Sequence, residues 1–117
     1  MIILCCGDRE WKNEISIERE LETYSRDTVI IHGNARGADK LSSIVGKRLG
    51  FKEIISFPAN WFKYGRAAGP IRNQQMIDEG KPDYIIAFHS DIKSSKGTKD
   101  MLNRASKHGI ASRLVEF

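Results

Sequence analysis

The segment from Thr28 to Asp39 holds the residues of this chain with the clearest chemical potential. Four β-branched residues precede a turn that contains Gly33 and Gly37, and a helical pattern begins at Ala38. Such a turn directs backbone N–H groups and the positive end of a helix dipole at one point, where an anion is stabilised. Arg36 adds a guanidinium that can bind phosphate through two parallel hydrogen bonds. The segment predicts a site for a phosphorylated small molecule.

Several residues of this turn have more than one interpretation. Gly33 and Gly37 permit a positive φ or a close approach of backbone to ligand, and they also serve the turn itself. Asp39 either caps the helix or binds a ribose hydroxyl. His32 ends a buried strand, where a packed structural histidine is more common than a catalytic one. The rest of the turn contributes Asn34 and Ala35 to the predicted ligand contacts.

Two other loops have the composition of a ligand site. Gly7-Asp8-Arg9-Glu10 follows the first apolar run, and its Asp8 and Arg9 are a polar pair that would project into a cleft. An intramolecular ion pair or a helix cap by Asp8 is the alternative. The segment Ser94-Ser95-Lys96-Gly97-Thr98 combines small hydroxyl residues, a lysine and a glycine before a helix. Loops of this kind donate several backbone and side-chain hydrogen bonds to a phosphate. Within it, the predicted ligand contacts are Ser95, Gly97 and Thr98.

A long aromatic and glycine-rich stretch, 57–73, separates the third and fourth apolar runs. Long loops in small domains usually bind or cover something. Trp61 and Tyr64 either stack on a base or pack on the core. Arg72 and Asn73 begin a helix that is expected to face the cleft, so both are predicted to contact ligand.

Short β-rich runs alternate with helical patterns along the whole chain. Ile15 and Leu21, and then Leu41, Ile44, Val45 and Leu49, recur at helical spacing. Near-continuous apolar strands between helices favour a parallel sheet covered on both faces. The predicted fold class is α/β, one Rossmann-like domain over 1–117 with a five-stranded parallel sheet in the order 3-2-1-4-5. The predicted strands are Ile2–Cys6, Thr28–His32, Glu53–Phe57, Tyr84–His89 and Ser112–Glu116, and the helices are Asn13–Ser25, Ala38–Leu49, Pro70–Glu79 and Thr98–His108.

This strand order brings the three loops together. Ligands of open α/β sheets bind beyond the carboxyl ends of the strands, at the point where the strand order reverses. Here that point lies between the first and fourth strands, and all three loops emerge at that edge. The convergence supports a binding site more strongly than any one loop does.

Composition narrows the class of protein. The chain has 117 residues, a net charge of +4 and scattered rather than clustered basic residues, so the charge does not distinguish nucleic acid from a small anionic ligand. No apolar run is long enough to cross a membrane, and a cytoplasmic location is expected. Cys5 and Cys6 are adjacent on a strand and face opposite ways, which favours two buried thiols over a disulfide or metal site. No cofactor and no metal are expected.

Five motifs occur in register along nearly the whole chain: Cys6-Gly7-Asp8-Arg9, 32–39, 57–61, 65–73 and Gly97-Thr98-Lys99-Asp100-Met101. Together they resemble the SLOG superfamily, and most closely its small YspA-like members. The resemblance implies a Rossmann-like fold that binds nucleotides or nucleotide-derived ligands and associates into a homodimer. Relatives include the LOG phosphoribohydrolases, which release a base from a nucleoside 5′-monophosphate, and DprA, which binds single-stranded DNA. Other relatives are thought to sense nucleotide signals.

The pattern PGGxGTxxE of the LOG enzymes is altered here. Gly97-Thr98 aligns with its GT, Met101 occupies the position of the catalytic glutamate, and Ser94-Ser95 replaces the double glycine. Asp100 lies one residue early, which turns it by about 100° on a helix. Any cleavage of a glycosidic bond would therefore need another carboxylate to stabilise its oxocarbenium-like transition state. The candidates on the three loops are Asp8, Asp39 and Asp100.

Three functions follow from these observations. The first is binding of a nucleotide or nucleotide-derived phosphate ligand, with possible hydrolysis of a nucleoside 5′-monophosphate. The second is a non-catalytic sensor or sequestering protein for a signalling nucleotide. The third is DprA-like binding of single-stranded nucleic acid through Trp61, Phe62, Lys63 and Tyr64. The complete set of predicted ligand-binding residues is Gly7, Arg9, Gly33, Asn34, Ala35, Arg36, Gly37, Arg72, Asn73, Ser95, Gly97 and Thr98.

Overall fold

The computed structural model describes all residues from Met1 to Phe117. Five strands alternate with helices, and short 3-10 turns occur at Gly65–Ala67 and Ile92–Ser94. The strands are β1 (Ile2–Gly7), β2 (Val29–His32), β3 (Ile54–Ser56), β4 (Tyr84–Phe88) and β5 (Ala111–Val115). The helices are α1 (Glu14–Leu21), α2 (Ala38–Leu49), α3 (Trp61–Tyr64), α4 (Ala68–Asp78) and α5 (Gly97–Lys107).

All five strands form one parallel sheet in the order β3-β2-β1-β4-β5. The predicted fold class and strand order are therefore confirmed. Strand β1 is central, since it pairs with β2 on one side and with β4 on the other. The strand order reverses between β1 and β4, so the ends of these two strands form the crevice where open α/β sheets bind ligands.

Each face of the sheet carries its own apolar layer. One layer contains Cys5 and packs beneath α1 and α2, and the other contains Cys6 and packs beneath α4 and α5. The two thiols face opposite sides of the sheet because side chains alternate along a strand. Both are buried and free, as the sequence predicts. The three central strands β1, β2 and β4 are covered on both faces and have no exposed side that a polar pattern would mark, which explains their near-continuous apolar composition.

Helix α1 is shorter than predicted, and its buried face differs from the predicted one. Asn13 caps it by accepting a hydrogen bond from the Ser16 N–H at 3.1 Å, and the helix ends at Leu21 rather than at Ser25. Ile17 and Leu21, four residues apart, point into the core, whereas Ile15 is exposed. Ile15 and Leu21 are six residues apart, which is about 240° of rotation, so only one of them can lie at the centre of the buried face.

The predicted long loop after β3 contains the short helix α3. Asn60 caps it by accepting a hydrogen bond from the Lys63 N–H at 3.0 Å. Helix α4 then begins at Ala68, two residues before Pro70, which fits because proline is tolerated in the first turn of a helix. These elements place the start of α4 beside the crevice. No helix combines the length and apolar character required to cross a membrane.

Candidate functional site

A cavity of about 980 Å³, called here the cleft, opens beyond the carboxyl ends of β1 and β4. Residues from all three predicted loops line it, together with the start of α4. The expected convergence of the loops is thus observed. The predicted site residues that line the cleft are Gly7, Asp8, Arg9, Ala35, Arg36, Asp39, Arg72, Asn73, Ser95, Gly97, Thr98 and Asp100.

A smaller cavity of about 400 Å³, called here the side lobe, adjoins the cleft. It shares Arg9, Ala35, Arg36, Trp61 and Arg72 with the cleft and adds Gly33, Asn34, Pro58 and Ala59. Gly33 and Asn34 therefore belong to the side lobe rather than to the cleft. Gly37 lines neither cavity.

The turn between β2 and α2 uses its own carboxylate as an internal anion. Asp39 Oδ2 accepts hydrogen bonds from the Gly33 N–H at 3.0 Å and from the Ala35 N–H at 3.3 Å. The Asn34 N–H donates to His32 Nδ1 at 3.0 Å. These three N–H groups donate within the turn, so binding of an external anion by this turn would require them to exchange these partners. Asp39 stabilises the turn instead of acting as a helix cap.

Burial dominates the electrostatics of Asp39. It raises the pKa of the carboxyl from 3.8 to about 6, although the hydrogen bonds from the turn and the nearby Arg72 and Arg9 lower it. Arg72 donates through Nη1 to the Gly33 carbonyl and through Nε to Asn73 Oδ1 at 3.1 Å. The proton affinity of Asp39 is therefore high for a carboxylate that lines a cleft.

Two glycines of the predicted site are required by packing between loops. Gly37 has φ +76°, and a Cβ there would overlap the carbonyl oxygens of Asp8 and Arg9. Gly33 has no such φ, but a Cβ would overlap the guanidinium of Arg72. The loop after β1 covers this side of Gly37, so Gly37 serves the packing between the two loops. Gly33 makes room for Arg72.

The N-terminus of α5 has unused hydrogen-bonding capacity. Ser95 Oγ accepts hydrogen bonds from the Thr98 N–H at 3.0 Å and from the Lys99 N–H at 3.3 Å, so Ser95 acts as the helix cap. Thr98 is only 6% exposed, lines the cleft, and is not among the side chains that form hydrogen bonds. Every fully buried side-chain oxygen and nitrogen has a hydrogen-bond partner. Because the Thr98 hydroxyl has none, it is not fully buried and remains accessible from the cleft. It faces the cleft as a free donor and acceptor.

The three candidate carboxylates differ in how fully they are engaged. Asp100 Oδ2 accepts hydrogen bonds from Asn73 Nδ2 at 2.9 Å and from Arg104 Nε at 2.8 Å. Asp39 is held by its turn. Asp8 uses Oδ1 to accept a hydrogen bond from the Glu10 N–H at 2.9 Å, and its other oxygen forms no hydrogen bond within the protein. Asp8 therefore has the most available carboxylate oxygen in the cleft.

Several cationic side chains along the cleft wall have no ion-pair partner. Arg36 pairs with Glu10 at 2.6 Å, and both side chains are about two-thirds exposed. The guanidinium of Arg9 lies 5.6 Å from the centre of the Trp61 ring and forms no ion pair. Arg66 and Lys96 also line the cleft without an ion-pair partner. The cleft thus suits an anionic ligand.

His32 and His89 lie at the carboxyl ends of β2 and β4, the two strands on either side of β1, but their surroundings differ. His32 is buried outside the cleft, and burial together with the charges of Lys47 and Arg72 lowers its pKa to about 4, so it serves as a neutral structural acceptor. His89 lines the cleft, and its Nδ1 accepts a hydrogen bond from the Asp91 N–H at 3.0 Å. The proton of neutral His89 therefore resides on Nε2. His89 and Arg66 were not among the site residues predicted from the sequence. The position of His89 at the carboxyl end of β4 is the sequence signal that indicates it.

Comparison with curated proteins finds the Gene 61 protein of Mycobacterium phage D29. It is 31% identical to this chain over 116 residues, and the match covers 92% of this chain and 90% of that protein. No family model matches the chain, and no solved structure matches it. The match therefore covers most of the length of both proteins.

Proposed function

We propose that this chain, which belongs to the same family as the phage Gene 61 protein, binds a nucleotide or nucleotide-derived phosphate ligand in the cleft. The observation that carries the proposal is the free hydroxyl of Thr98 at the N-terminus of α5, beside the reversal of strand order between β1 and β4. Membership in the SLOG superfamily is part of the same proposal. It rests on the five motifs in the sequence.

The phosphate is assigned to the N-terminus of α5. The N–H of Gly97 forms no hydrogen bond within the protein, and the hydroxyl of Thr98 is free beside it. The helix dipole favours negative charge at this end, and Lys96 adds a full positive charge at the cleft wall. A Cβ on Gly97 would meet no atom within 4 Å, which means that the approach to its backbone is open. These groups together supply the donors that a phosphate requires.

The sugar and base are assigned to the opposite wall of the cleft. Trp61 is about half exposed there, and its ring offers a surface on which a base can stack. The Nε2–H of His89 and the free oxygen of Asp8 are available for polar contacts with a sugar or base. A cavity of about 980 Å³ has ample room for a nucleotide.

Binding is tested by calorimetry with nucleoside and deoxynucleoside 5′-monophosphates and with the same nucleosides lacking phosphate. Thr98→Val, which replaces the hydroxyl with a methyl group, is expected to weaken the binding of a monophosphate about tenfold. The affinity for the nucleoside should stay within about twofold of the wild-type value. Thr28→Val is the matched control, because Thr28 is equally buried but lies at the start of β2, away from the cleft. Equal effects of the two substitutions would contradict the assignment of the phosphate.

Hydrolysis of the N-glycosidic bond is the reaction that the cleft favours if the protein is an enzyme. Water would add to C1′ while the bond from C1′ to the base nitrogen breaks and the base leaves with a proton. Asp8 is the favoured carboxylate to stabilise the oxocarbenium-like transition state, because it accepts one hydrogen bond within the protein whereas Asp39 and Asp100 each accept two. Chromatography for free base after incubation with the monophosphates tests the reaction. Asp8→Asn should then abolish base release and preserve binding.

A sensor or sequestering protein is the alternative for the same cleft. The observation in its favour is that both Asp39 and Asp100 are committed to hydrogen bonds within the protein. This function predicts tight binding of one nucleotide and no base release by the wild-type protein. The chromatography experiment separates it from hydrolysis.

Binding of single-stranded nucleic acid is a second candidate function, supported by helix α3. Phe62 is fully exposed, and Lys63 Nζ lies 5.0 Å from the centre of the Tyr64 ring. Exposed aromatic rings beside lysine bind unpaired bases and backbone phosphates. This function predicts salt-dependent retention of oligonucleotides that Phe62→Ala reduces. Absence of retention at low salt would remove it.

A further inference from the structure

The side lobe has the charge of an anion site in its own right. Three of its lining side chains are the arginines at positions 9, 36 and 72, and no carboxylate lines it. Asn34 adds an exposed amide side chain that forms no hydrogen bond within the protein. Three guanidinium groups around one small cavity repel one another, and an anion bound between them would reduce that repulsion. The side lobe therefore favours an anionic group.

The arginines are available to such an anion. Arg9 forms no ion pair and is positioned over the Trp61 ring. Arg36 has only the exposed Glu10 as its partner, and Glu10 lines the cleft but not the side lobe. Exposed ion pairs contribute little to stability, so Arg36 can exchange Glu10 for a ligand at little cost. Arg72 is already held in place by the Gly33 carbonyl and Asn73.

Two side chains separate this site from the N-terminus of α5. Asn73 Nδ2 donates to the Gly97 carbonyl at 3.2 Å, and Asn73 Oδ1 accepts from Arg72 Nε at 3.1 Å. Arg72 in turn donates to the Gly33 carbonyl. The side chains of Asn73 and Arg72 thus span the space from Gly97 to Gly33, which favours a separate anionic group on each side of them.

We propose that the ligand is a small molecule with two separate phosphate groups, of the nucleoside bisphosphate or dinucleotide class. One phosphate binds at Gly97 and Thr98, and the second binds in the side lobe against Arg9 and Arg36. The ribose and any bridging atoms pass over Arg72 and Asn73. This inference rests on the proposed function for the first phosphate and adds the second.

Calorimetry with nucleoside 5′-monophosphates and the matching 3′,5′-bisphosphates tests the second site. We expect the bisphosphate to bind at least about tenfold more tightly than the monophosphate of the same base. Asn34→Asp places a negative charge in the side lobe alone and should lower the affinity for the bisphosphate about tenfold. Monophosphate binding should stay within about twofold. Aspartate has the size of asparagine and tolerates the φ of +59° at this position, so the fold is preserved.

Asn103→Asp is the matched control, because it makes the same change of charge at an exposed position on α5 outside both cavities. Equal affinities for the two ligands, with Asn34→Asp affecting neither, would overturn the second site and leave the proposed function intact. Failure of every nucleoside phosphate to bind would overturn both. A 5′-phosphorylated oligonucleotide that binds about tenfold more tightly than any bisphosphate would overturn the assignment to a small molecule.

Discussion

Replacing Asp39 with asparagine tests whether a buried carboxyl group sets part of the pH dependence of this fold. Burial raises the pKa of Asp39 from 3.8 to about 6, a change that the hydrogen bonds from Ala35 and Gly33 and the charges of Arg72 and Arg9 only partly offset. Each pH unit corresponds to about 1.4 kcal/mol, so ionising Asp39 in the folded protein costs about 3 kcal/mol more than in the unfolded chain.

The sign follows from which state binds the proton more tightly. The folded protein does, so the stability that protonated Asp39 contributes is fully present below pH 3.8 and is lost as the pH rises through about 6. Asparagine does not titrate, and its Oδ1 can accept both hydrogen bonds that Asp39 Oδ2 accepts from the turn. The attraction between ionised Asp39 and Arg72 is already contained in the folded-state pKa of about 6, so it adds no further pH dependence.

The measurement is urea unfolding of the wild type and Asp39→Asn at several pH values. Between about pH 4.5 and 7.5, the wild type should lose about 2 kcal/mol of unfolding free energy relative to the variant. The difference between the two proteins cancels every other titrating group. A difference that stays constant within about 0.5 kcal/mol would refute the assignment of a buried, destabilised carboxylate at this position.

Three further predictions follow from the turn and its neighbours. Burial lowers the pKa of His32 from 6.5 to about 4, so stability present above pH 6.5 is lost on acidification. Relative to His32→Gln, the wild type should lose roughly 1 to 2 kcal/mol between about pH 7 and 5 in urea titrations; parallel curves would contradict this. Gly37→Ala should destabilise by about 3 kcal/mol or more, because of its φ and its overlap with Asp8, whereas Gly97→Ala should be close to neutral in the same assay. Arg36→Ala should weaken a nucleoside 3′,5′-bisphosphate about tenfold in calorimetry and the matching 5′-monophosphate far less; equal losses would exclude a contact with the second phosphate.

The regular elements were largely predictable because their signals are local. The predicted bounds of α2, Ala38–Leu49, are those observed, and Gly50 ends the helix in the left-handed conformation that glycine favours. The predicted strands are each within two residues of the observed bounds. The short helix α3 was missed because four residues are too few to establish a periodic pattern, and its cap at Asn60 is a single-residue signal.

The candidate site was predictable at the level of loops but not of atoms. Strand order places the ends of β1, β2 and β4 at one edge, and this order follows from the alternation of strands and helices. The hydrogen-bond partner of each backbone N–H group in these loops does not follow from the strand order. The backbone N–H groups of Gly33 and Ala35 donate to Asp39. The type and sequence position of Asp39 were equally compatible with a helix cap or a sugar contact. Hydrogen bonds of this kind depend on the path of the turn.

The sequence by itself determined the α/β class, the five-stranded parallel order and the three loops that meet at the cleft, because periodicity and glycine positions are properties of neighbouring residues. Only the tertiary structure decided which groups remain free. It directed Asp39 into the turn, tied Asp100 to Asn73 and Arg104, and left the Thr98 hydroxyl facing the cleft. The physical reason is that a buried polar group takes the nearest partner that folding brings to it, and that partner is usually distant in the chain.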